Sequence, residues 1–70
     1  MTVSAELIQR AKEKAILFLE HNIVTLAVLL GVDVDAIDSS YTIPVEASDP
    51  TYSSHYCLQQ MLISLDRAQS

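Results

Sequence analysis

Basic residues are scarce in this chain: between Ala15 and Asp66 there is not a single Lys or Arg. The 4 bases, Arg10, Lys12, Lys14 and Arg67, face 9 acids, for a formal net charge of -5. A surface that tracks phosphates needs clustered bases, so direct binding of DNA or RNA is not expected. The lone Cys57 excludes an intramolecular disulfide and fits a reducing, cytoplasmic setting. With one Gly, two Pro and no Trp, the chain has few breakers and no low-complexity tract. No Cys-x-x-Cys or His-x-x-x-His pair occurs, so neither a structural metal nor any cofactor is expected.

What the chain does have is apolar surface. Half of its 70 residues are hydrophobic, with a block from Ile23 to Val32 and a smaller patch from Ala15 to Leu19. Such a length makes one domain, which buries about 60% of its unfolded surface and gains about 3–5 kcal/mol from its core. No staple compensates, which points to burial against another chain. A membrane span is not expected, because Glu20, His21 and Asn22 interrupt the stretch from Ala15 to Val32. Nor does the acid-containing segment before it read as a secretory leader.

Local signals predict a helix over about 5–30. Ser4 suits the N-cap, Glu6 the first turn, and Gly31 a left-handed C-terminal cap. Ile16, Leu19, Ile23, Leu26 and Leu30 fall at alternating steps of three and four, a heptad seam expected to mediate self-association. Phe18, Ala27 and Leu29 widen this stripe. Two alternatives stay open: a break at Asn22, or a strand through the β-branched run Ile23, Val24, Thr25. An acidic connector over about 31–49 follows, with turn signals at Ser39-Ser40 and Ile43-Pro44 and a short helical turn between Asp35 and Tyr41. Asp49-Pro50 reads as the cap and first position of a second helix over about 50–68. Leu58, Met61, Leu62, Leu65 and Ala68 form its apolar face. The fold class is thus all-α, a helical hairpin of long helix, acidic connector and second helix. Pairing of two hairpins would give a four-helix-bundle-like dimer.

The segment Leu29 to Ile43, LLGVDVDAIDSSYTI, resembles the end of helix one and the following loop of acyl and peptidyl carrier proteins. That resemblance implies a serine opening the next helix to carry a phosphopantetheine arm. At the corresponding place this chain has Asp49-Pro50-Thr51, with proline at the nucleophile position, so carrier activity is not expected. The spacing of Leu26, Ala27, Leu30, Gly31, Val32 and Ile37 also fits a helix-turn-helix. Its recognition helix would carry Asp33, Asp35 and Asp38, the wrong sign for DNA. Asp33-x-Asp35 opens like a calcium-binding loop, but Asp38 stands at the glycine position and Pro44 at the bidentate glutamate position.

No catalytic constellation emerges around Cys57, His55 or His21. Cys57 reads as a small packing residue, His55 as a first-turn surface residue and His21 as a boundary or interface residue. Tyr52 and Tyr56, four apart, fit either an interface or the packing face of the second helix. The reading that follows is a small, non-enzymatic regulatory or adaptor protein that self-associates, with Asp33, Asp35, Asp38 and Tyr41 meeting a basic protein surface. The alternatives are an inhibitor of a nucleic-acid-binding protein that mimics phosphate, and a structural subunit of a larger complex.

Overall fold

A computed structural model describes residues 3–70. The chain forms a long helix α1 (Ala5–Leu30), a single 3₁₀ turn η1 (Val34–Ala36) and a second helix α2 (Tyr52–Gln69), with no strand among the described residues. α1 begins where Ser4, in extended conformation, accepts a hydrogen bond from the Leu7 amide through its side chain at 3.1 Å. It ends at Gly31, whose φ of 71° places it in the left-handed region. There the Gly31 amide donates to the Val28 carbonyl and the Val32 amide to the Ala27 carbonyl, the paired bonds of a Schellman cap. Neither Asn22 nor the Ile23-Val24-Thr25 run breaks the helix, because burial of Ile23 and Ala27 outweighs about 0.5 kcal/mol of propensity.

The second helix starts two residues later than its sequence suggests. Asp49 does not cap it. Its carboxylate accepts from the Thr51 amide at 2.8 Å and the Thr51 hydroxyl at 2.6 Å, while the Tyr52 amide donates to the Asp49 carbonyl. Pro50 therefore sits inside a tight turn before the helix, a position its fixed φ also suits. The connector contains no second helix of helix-turn-helix length. Between Asp35 and Tyr41 it makes only the end of the 3₁₀ turn and a turn closed by Tyr41 on Asp38.

The two helices pack antiparallel. Ile23 and Ala27 of α1 meet Leu58 and Leu62 of α2 as the buried core, and Ala68 near the end of α2 lies beside Ala15 and Ile16. The connector closes over this core with Val32, Val34, Ile37 and Tyr41. Because α1 has 26 residues and α2 18, the first turns of α1 project past the hairpin. The result is long and thin, 49 × 22 × 19 Å. Its radius of gyration is 14.6 Å, where a compact chain of this length has about 11 Å.

Candidate interaction surface

The heptad seam is closed within the chain. Ile23 is buried, and Leu19, Leu26 and Leu30 pack half-buried against the same core, with Ile16 half-buried at its lower end. The second helix thus covers the seam and Ala27 but does not reach the residues that widen it. Around the other side of α1, Leu17, Phe18, Val28 and Leu29 are about two-thirds or more exposed, Leu29 reaching 77%, and Val24 is 43% exposed. Arg10, Lys14, Leu17, His21, Val24 and Val28 fall at alternating steps of four and three, a second heptad stripe on the solvent side. Phe18 and Leu29 flank it. Apolar side chains thus stand in solvent along the upper half of this stripe, where a soluble helix ordinarily presents polar ones.

All the chain's bases lie at one end of the hairpin, where Glu6, Glu13, Glu20 and Asp66 offset them and Arg10 pairs with Glu6 at 3.1 Å, so the acidic excess lies at the connector end. Arg10, Lys12 and Lys14 sit on the lower half of α1, beside the end of α2 that carries Arg67. Asp33 follows the end of α1 and Asp49 precedes the start of α2, both at the opposite end. These carboxylates also shape the connector. Asp33 accepts from the Asp35 amide at 3.1 Å, and Asp38 accepts from the Ser40 amide at 2.8 Å and from the Ser40 hydroxyl. Hydrogen bonds from the Ser40 side chain and then its amide hold the Asp38 carboxyl below its ordinary value, as those from Thr51 do for Asp49. Asp33, Asp35 and Asp38 remain exposed, so their charge is still presented to solvent.

Tyr41 is placed differently from its expected role at a partner surface. It is half-buried, its hydroxyl lies 2.7 Å from Nδ1 of His55, and its carbonyl accepts from Gln59 Nε2 at 3.0 Å. Burial raises its phenol above the ordinary value of 10.0. His55, expected on the surface, is 5% exposed. A usable signal was present: His55, Leu58, Leu62 and Leu65 repeat at steps of three, four and three, which puts the imidazole on the apolar face of α2. Cys57, expected to pack, is exposed, two residues on and therefore turned away. His21 lies exposed in the middle of the solvent-side stripe; Tyr52 is half-buried and Tyr56 exposed.

Three open depressions of about 140–180 Å³ line the helix junctions, against roughly 300–1,000 Å³ for a typical small-molecule site. One is walled by Lys12, Ala15, Ile16, Leu19 and Ala68, where α2 stops short of α1. Among the described residues no group of three or more His, Cys, Asp or Glu side chains is arranged to hold a metal, and no helix is long and apolar enough to cross a membrane. The extended outer face of α1 is what this geometry offers for recognition. No protein-family model, curated protein or solved structure matches the chain.

Proposed function

We propose that this chain is a small non-enzymatic regulatory or adaptor protein that acts by protein–protein contact and self-associates through the outer face of α1. The observation that carries this reading is surface that the fold fails to cover. The chain exposes 5292 Å², whereas a compact monomer of 7.7 kDa exposes about 4,300 Å². The excess is close to the roughly 800 Å² that one partner buries in a standard interface. Contiguous apolar side chains supply part of it, which is the usual mark of a contact site. The exposed carboxylates of Asp33, Asp35 and Asp38 offer a second contact, for a basic surface on a further protein.

Light scattering coupled to size exclusion tests the reading. The wild type should run above 7.7 kDa and lose mass on dilution. The double variant Phe18→Glu, Leu29→Glu should run as a monomer with its helix content intact, since both side chains lie outside the hairpin core. A wild-type monomer at every concentration would overturn self-association.

A further inference from the structure

Building on the proposed self-association, we infer that the outer face of α1 docks on the same face of a second copy in antiparallel orientation, with the two-fold axis at the level of Asn22 and Ile23. The stripe is symmetric about that level. Leu17 and Val28 lie at equal distances on either side of it, as do His21 and Val24, so each meets its counterpart across the axis, while Phe18 and Leu29, centred one residue further on, flank the stripe at its edge. An isologous interface needs this self-complementarity, in which one residue meets a second and the second meets the first.

Charge fixes the direction. The same register sets Lys14 of one copy over the end of α1 of the other, at Gly31, where the connector with Asp33, Asp35 and Asp38 begins. The acidic connectors then lie at opposite ends of the pair, each facing the charge-balanced end of its partner with Lys14 nearby. A parallel pair would instead stack Arg10 and Lys14 on their own counterparts, with the connector carboxylates likewise opposed. The turns of α1 that project past α2 fit the antiparallel arrangement too. Leu7, about half exposed and three residues before Arg10 on the same stripe, reaches beyond the partner's helix end towards its connector. The surface left uncovered by the fold matches one partner's share of a stable dimer, so a second copy accounts for it without a further chain.

Disulfide trapping in a Cys57→Ser background, which removes the native exposed thiol, tests orientation separately from association. Antiparallel packing separates the two copies of position 17 by about 16 Å along the axis, beyond the reach of a disulfide. A Leu17→Cys protein alone should therefore stay uncrosslinked under mild oxidation. Mixed in equal amounts with a Val28→Cys protein, it should give a crosslinked species of twice the chain mass on non-reducing gels. High salt should weaken the wild-type dimer several-fold, because the pairing across its ends is electrostatic. Self-crosslinking of Leu17→Cys, with none between the two variants, would establish a parallel pair and overturn this inference while leaving self-association standing. A monomeric mass for the uncrosslinked wild type, with no crosslink in any mixture, would overturn both and leave the face to a different protein.

Discussion

The Tyr41 hydroxyl stands 2.7 Å from Nδ1 of His55, fourteen residues further along, and joins the connector to the first turn of α2. The ring planes are 15° apart and the centroids 6.3 Å, so the hydroxyl approaches close to the imidazole plane. Either neutral tautomer satisfies the pair, with the hydroxyl donating to a bare Nδ1 or accepting from a protonated one. Gln59 holds the Tyr41 carbonyl from the next turn of α2. Two polar contacts thus anchor the middle of a connector that otherwise relies on Val32, Val34 and Ile37 against the core.

Replacing Tyr41 with Phe removes the hydroxyl and leaves a buried imidazole nitrogen without its partner. We expect a loss of about 1–2 kcal/mol in urea unfolding at neutral pH, with the helices retained by circular dichroism. A second signature lies in alkali. Since the folded phenol is raised above 10.0, the stability it contributes is complete below that pH and is lost as pH rises through the higher folded value. The wild type should weaken above about pH 10 more steeply than Tyr41→Phe.

Acid should loosen the connector first. Asp38 and Asp49 are held below their ordinary 3.8, so their contribution is present above that pH and is lost as pH falls through the lower folded values. Amide resonances of Ser40 and Thr51 should shift downward in protection below about pH 4, while those of Ile23 and Leu58 hold. Asp38→Asn and Asp49→Asn keep an acceptor oxygen without the charge, and each should flatten the response at its own turn only. Simultaneous loss of protection in core and connector would contradict the local role assigned to these carboxylates.

Gly31 is the one residue in the left-handed region among those described, and a Cβ there would meet nothing within 4 Å. Any penalty for substitution is therefore conformational, not steric crowding from neighbours. Gly31→Ala should cost about 1 kcal/mol and Gly31→Asn less, with an unchanged slope in urea denaturation. A changed slope would mean that the cap also governs how much of the connector stays packed.

The bounds of α1 were legible because its ends are written locally, in a serine side chain and a glycine that accepts positive φ. The inner faces of both helices were legible from their spacing. What spacing does not encode is which of two apolar stripes on α1 the second helix takes. Ile16 to Leu30 and Leu17 to Val28 both follow heptad steps, and the first wins because the connector, with Val34 and Ile37, can close over that side together with α2. Ile23, read as the centre of a dimer seam, is for this reason a core residue, and a charge there would unfold the hairpin before it tested assembly. The path of the connector was hidden for a related reason. Its acids look like a patch but build turns at Asp33, Asp38 and Asp49, and its tyrosine finds a histidine on a distant element. The start of α2 slipped because Asp-Pro serves a turn as readily as a cap.

Isotope-filtered nuclear Overhauser spectroscopy on a mixture of labelled and unlabelled chains tests the self-association of α1 most directly. Only contacts between copies survive the filter. Within one straight helix, Leu17 and Val28 lie about 16 Å apart, too far for any intrachain signal to mislead. The account predicts intermolecular cross-peaks between the methyls of Leu17 and Val28, and between the Phe18 ring and the Leu29 methyls, with none to Leu58. Cross-peaks centred on Ile23, Leu58 and Leu62 instead, or none at concentrations where the mass is that of a dimer, would contradict it.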